Sequence, residues 1–164
     1  MIRKFLFSAA LLIGSVSSAF AALPSVMLKD MDGRSVNTAE LSNDGKPIII
    51  DFWATWCKPC IRELNAIKDV YPDWQEETGV KIIAVSIDEA QNAQKVKPIV
   101  SRMGWEYDVL LDPNSEFKRQ MGVSDPPHVF VVDGNGNIVW NHQGYVEGSE
   151  DEIFEAVKKA LGEE

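Results

Sequence analysis

Ile48-Ile49-Ile50-Asp51-Phe52-Trp53-Ala54-Thr55-Trp56-Cys57-Lys58-Pro59-Cys60 joins an apolar run to the only two cysteines of the 164-residue chain. A near-continuous run of large apolar residues suits a central strand buried on both faces. Two thiols separated by two residues can close a disulfide across the first turn of a helix, and proline is tolerated in that turn because its missing N–H would be unpaired there. As a staple the pair would do little, since so short a loop constrains the unfolded chain by only roughly 2 kcal/mol. As a structural zinc site it lacks partners, because such sites take four ligands and no second cysteine pair exists. Redox chemistry at Cys57 and Cys60 is the expectation.

The flanking sequence supplies the rest of an α/β domain. Asp32-Gly33, between Val26–Leu28 and Arg34–Val36, predicts an N-terminal hairpin. Ile61, Leu64, Ile67, Tyr71 and Trp74 recur at helical spacing after the cysteines, with Pro72 expected to kink or end the helix. Val80–Ile87 reads as a second buried strand. Glu89–Met103 reads as helix, broken or restarted near Pro98 and closed by Gly104. A short strand at Tyr107–Leu111 and a brief helix at 114–121 follow. Val129–Val132 and Ile138–Asn141 flank Asp133-Gly134-Asn135-Gly136-Asn137, a loop rich in residues that tolerate positive φ, and so predict an antiparallel hairpin. Ile153, Phe154, Val157, Ala160 and Leu161 mark a final amphipathic helix beginning near Ser149. These elements imply one domain over 22–164: a central mixed sheet with helices on both faces.

Residues 1–21 have the pattern of a signal peptide. Arg3 and Lys4 precede an apolar stretch from Phe5 to Ile13, and Ala19-Phe20-Ala21 suggests cleavage after Ala21. The stretch is about nine residues against the roughly 20 needed to span a bilayer. The expected location is the periplasm. Removing the signal moves the formal charge from −9 to about −11, and with no basic patch neither nucleic acid nor an anionic lipid surface is an expected partner.

Taken together, Asp51 to Cys60, Glu63, the Pro127-His128-Val129-Phe130-Val131-Val132-Asp133 segment and the extra βα stretch between about Val80 and Met121 resemble the TlpA/ResA-like class of exported thiol-disulfide oxidoreductases. The resemblance covers nearly everything after the signal and implies a thioredoxin-like fold. It also implies that Pro127 is the cis proline opposite the active-site disulfide, beside which an extended substrate strand lies. Here Pro126 precedes it and His128 follows, where threonine is frequent in the class. Substrate contact is therefore expected at Trp56, Pro126, Pro127 and His128.

Cys57, at a helix N-terminus, is the expected attacking thiolate and Cys60 the resolving thiol. Cys60 needs a proton acceptor, for which there are two candidates. Glu63 follows it by three residues on the same helical face. Asp51 lies inside an apolar strand, where desolvation raises a carboxyl pKa. A carboxylate at the position of Asp51 has this task in thioredoxins, and one at the position of Glu63 in the TlpA/ResA-like class.

The expected activity is exchange with exported protein thiols or disulfides in the reducing direction, through a mixed disulfide. It needs no cofactor beyond the Cys57–Cys60 disulfide and no resident metal. Electrons come from an upstream donor, a membrane-bound one among the candidates, and the expected state is a monomer. One alternative is a copper metallochaperone using Cys57, Cys60 and His128. Another is a thiol peroxidase, opposed by Ala54 where a hydroxyl usually stands three residues before the attacking cysteine.

Overall fold

In the computed structural model, which describes residues 21–162, the run Ile48–Trp53 forms a strand buried at every position. In chain order the strands are β1 (Ala21–Ala22), β2 (Met27–Asp30), β3 (Ser35–Asn37), β4 (Ile48–Trp53), β5 (Lys81–Ser86), β6 (Asp108–Leu111), β7 (His128–Val132) and β8 (Asn137–Gln143). The helices are α1 (Lys58–Thr78), α2 (Val96–Met103), α3 (Glu116–Gln120) and α4 (Ser149–Ala160). The export signal expected before residue 22 lies, but for Ala21, outside the described residues.

Among the described residues, eight strands join one sheet in the order β1-β8-β7-β4-β5-β6-β2-β3. β4, β5 and β6 run parallel, while β7, β8 and the β2–β3 hairpin pair antiparallel with their neighbours. Successive side chains of β4 point to opposite faces. Phe52 meets Phe117 of α3 at 5.3 Å between ring centroids, and Trp53, on the other face, meets Trp105, just beyond α2, edge-on at 5.1 Å. On α1, Trp74 stacks on Phe154 of α4 at 4.9 Å. The thioredoxin-like mixed sheet, its N-terminal hairpin and the inserted βα stretch are thus present.

Two helix expectations change. α1 runs through Pro72 to Thr78 and ends at Gly79, whose φ of 68° closes the helix in the left-handed region. Pro72 itself is exposed, while Tyr71, Trp74 and Thr78 are buried. Burying that stripe outweighs the roughly 3 kcal/mol that an interior proline costs a helix. By contrast, residues 89–95 do not join α2, apart from a 3-10 turn at Ala93–Lys95. None of them is buried, so nothing outside the segment holds it helical. Pro98 occupies the third position of α2, where its missing N–H leaves no helical bond unmade.

The β7–β8 turn shows a different use of glycine from the one its composition suggests. Gly136 has φ 84°, but Gly134 is needed for space: a Cβ there would run into the backbone carbonyl of Gly45. Gly134→Ala is expected to lower stability by about 2 kcal/mol through this clash, measured by urea unfolding. An unchanged midpoint would mean that the Gly45 segment moves aside freely.

Candidate active site

The turn from β4 into α1 carries the disulfide. The Cys57 N–H donates to the Ala54 carbonyl at 3.0 Å, and Cys57 caps α1, its Sγ accepting from the Cys60 N–H at 3.3 Å. Cys57 and Cys60 are disulfide-bonded with their Cα atoms 5.3 Å apart. Cys57 is 4% exposed and Cys60 is wholly buried, so an incoming sulfur can reach only the first. The unpaired N–H groups and dipole of a 21-residue helix favour negative charge at its start, which lowers the pKa of a thiol there. Trp56 stands 61% exposed beside the pair, and Lys58 is also exposed.

Asp51 and Glu63 are both completely buried, and none of their carboxyl oxygens has a hydrogen-bonding partner among the protein groups. Glu63 therefore does not occupy a solvent-facing helical position. Burial pushes Asp51 well above the ordinary carboxyl range, and the charge of Glu63 adds to the shift. Burial likewise raises Glu63 to about 8, helped by the charge of Glu150. The Tyr107 hydroxyl donates to the Leu64 carbonyl at 2.7 Å, and burial together with the charge of Asp51 keeps that phenol neutral. An acid near 8 is well matched to a thiol, whose ordinary pKa is about 8.5, so proton transfer between them is close to balanced.

The Pro126–Pro127 peptide bond is cis. β7 then starts at His128, paired with Phe52 of β4, so Pro127 lies at the end of the sheet from which the chain turns toward Cys57. The Pro127 carbonyl accepts from the Gly144 N–H at 2.8 Å, tying this segment to the loop after β8. His128 lies inside the sheet, as the first residue of β7. Its ring stacks on Phe130 at 4.4 Å, and Nε2 bonds Asn141 Oδ1 at 3.1 Å. Burial lowers its pKa, favouring the neutral ring over the charged one.

No group of three or more His, Cys, Asp or Glu side chains among the described residues comes together as a metal site, with Cys57 and Cys60 joined in the disulfide. The hydroxyl that peroxide positioning would need is also missing. Ala54 has none, and Thr55 commits its own to Asp88, donating from Oγ1 to Oδ1 at 2.6 Å.

No local motif marks Asp88. The one available signal was topological: in a parallel pair, residues just after both strands meet at one end of the sheet.

Three comparisons bear on this arrangement. The model of the AhpC/TSA family matches residues 21–141. The chain is similar to the thiol-disulfide oxidoreductase ResA of Bacillus thuringiensis subsp. konkukian, at 31% identity over 136 residues, 83% of this chain and 75% of the relative. ResA of Geobacillus thermodenitrificans is 32% identical over 115 residues, 70% of this chain and 63% of that one. Among solved structures, an uncharacterized thioredoxin-like protein from Porphyromonas gingivalis superposes with a TM-score of 0.78 at 59% identity, covering 88% of this chain and 95% of that one. StoA from Bacillus subtilis shares the fold at a TM-score of 0.65 and 22% identity, over 83% and 98% of the two chains.

Proposed function

The chain belongs to the AhpC/TSA family and, within it, to the ResA-type thiol-disulfide oxidoreductases; from that premise we propose that it reduces protein disulfides in the periplasm after cleavage of its signal peptide. The observation that carries the proposal is the asymmetry of the pair: Cys57 caps a helix and keeps 4% of its surface exposed, while Cys60 lies wholly buried. The Cys57 thiolate attacks one sulfur of a substrate disulfide. That S–S bond breaks, and its other sulfur leaves as a thiolate that takes a proton from water. Cys60 then gives its proton to the ionised member of the Asp51/Glu63 pair, and its thiolate attacks Cys57 Sγ. The second substrate sulfur departs, the Cys57–Cys60 disulfide closes, and two electrons have passed to the substrate. An upstream thiol donor, membrane-bound or carried by another exported protein, must return them, because an oxidising compartment does not.

Substrate lies against Trp56 and the Pro126–His128 segment in this reading. Trp56 supplies an exposed apolar face, and extended polypeptides commonly bind by main-chain pairing with a free strand edge or loop. Cys60→Ser, expressed in its own compartment, is expected to accumulate mixed disulfides on Cys57 that disappear on treatment with a reductant. If no protein is trapped and the reduced wild type binds copper stoichiometrically, the metallochaperone reading replaces this one.

A further inference from the structure

Asp88 lies just beyond β5, 1% exposed, and takes two of its three side-chain donors from the turn that delivers Cys57. Its Oδ2 accepts from the Thr55 backbone N–H at 2.8 Å and from Ser86 Oγ at 2.9 Å, and its Oδ1 accepts from Thr55 Oγ1 at 2.6 Å. Ser86 Oγ in turn accepts from the Asp88 N–H at 3.2 Å. Behind it the backbone is locked as well, with the Ile87 N–H on the Trp53 carbonyl at 2.9 Å and the Asp112 N–H on the Ser86 carbonyl at 2.8 Å. A buried carboxyl accepting three donors is a rigid anchor, because each bond lost would leave a polar group unpaired away from water. Ala54 and Cys57 close the turn, and Thr55 is the residue of the turn whose side chain reaches across to the neighbouring strand.

We propose that Asp88 is a positioning residue for thiol-disulfide exchange: through Thr55 it holds the Ala54–Cys57 turn so that Cys57 Sγ stays over the first N–H groups of α1 in both the oxidised and the reduced protein. The proposal rests on the reading of Cys57 as the attacking thiol. In the disulfide form the S–S bond itself restrains Cys57. Once that bond is reduced, the restraint is gone and the anchored turn remains to keep the thiolate where the helix stabilises it. Misplacement by about 1 Å is enough to cost a reaction up to about 100-fold. Loss of one anchoring bond among several is expected to cost less.

The test uses the reduced full-length mature protein and follows thiolate absorbance and the rate of alkylation at each cysteine against pH. In Thr55→Val, which keeps the carboxyl group and removes the hydroxyl, the thiolate fraction of Cys57 at pH 7 should fall about tenfold, and the rate of attack on a small disulfide should fall with it. Thr55→Ser, which retains the hydroxyl, should behave as wild type. Asp88→Asn should shift the titration in the same direction as Thr55→Val. The other titratable groups around the turn, Lys58 outside and Asp51, Glu63 and His128 further in, are the same in all these variants. If Asp88→Asn does not fold, the two Thr55 variants decide the matter. A wild-type titration in Thr55→Val, or a lowered Cys57 pKa in Asp88→Asn, would mean that Asp88 acts by its charge or not at all and would overturn the proposal. Cys57 still reacting fastest in that case would leave the exchange mechanism intact, whereas Cys60 reacting faster in the wild type would overturn both.

Discussion

Glu63→Gln combined with Asp51→Asn is expected to slow resolution of a mixed disulfide on Cys57 by about 100-fold at pH 7, the lower end of what a positioned acid or base contributes. The first attack should stay within about threefold of wild type. The difference follows from where the two sulfurs lie. Cys57 keeps a small exposed surface through which its proton can leave, whereas Cys60 is wholly enclosed, and in the proposed mechanism its proton goes to the two buried carboxyl groups. With Glu63 near 8, about a tenth of it is ionised at pH 7, and taking the thiol proton merely moves one negative charge from carboxyl to sulfur. Without that exchange a bare thiolate would have to form in a desolvated pocket. The deficit should therefore shrink as pH rises and Cys60 ionises unaided. Asp51→Asn alone should also slow resolution more than attack, and stopped-flow single turnovers of each step separate the two. Equal rates for variant and wild type in both steps would remove the carboxyl pair from the mechanism.

The same pair should make the fold less stable as pH rises. Asp51 and Glu63 are both held above the ordinary carboxyl range by burial, so between about pH 4 and the folded values the folded chain binds more protons than the unfolded one. The resulting stability is present in full below the unfolded pKa and is lost as pH climbs, at about 1.4 kcal/mol per pH unit for each group. For Glu63 the loss continues to about pH 8 and then levels off. The oxidised Asp51→Asn/Glu63→Gln variant should accordingly match wild type near pH 4 and exceed it by several kcal/mol at pH 8. Urea unfolding at pH 5, 6.5 and 8 measures this, and parallel curves for the two proteins would show that the carboxyl groups are not desolvated in solution.

Most of the architecture could be read locally. The six apolar residues of β4, the helical spacing of Ile61, Leu64, Ile67, Tyr71 and Trp74, and the hairpin around Asp133–Asn137 each encode their own element, because a strand or helix that buries one face must repeat apolar residues with its own period. Local pattern is not enough where another part of the chain decides. Residues 89–95 contain adequate helix formers but have no buried face to hold them, while α1 passes through Pro72 because Tyr71 and Trp74 are buried on either side of it. Gly134 looked like a turn residue and is in fact a point of close approach to Gly45.

At the site, the Cys57–Cys60 pair, the helix that starts between them and the candidate carboxyl groups at Asp51 and Glu63 were all determined by the sequence alone, since thiol spacing, helix initiation and i, i+3 proximity are properties of neighbouring residues. Only the tertiary structure decided that Glu63 is buried, that His128 is stacked inside the sheet, and that Asp88, 33 residues from Thr55, anchors the turn before Cys57. The reason is that desolvation and hydrogen bonding across strands depend on what the rest of the chain brings to a residue, which no run of adjacent residues contains.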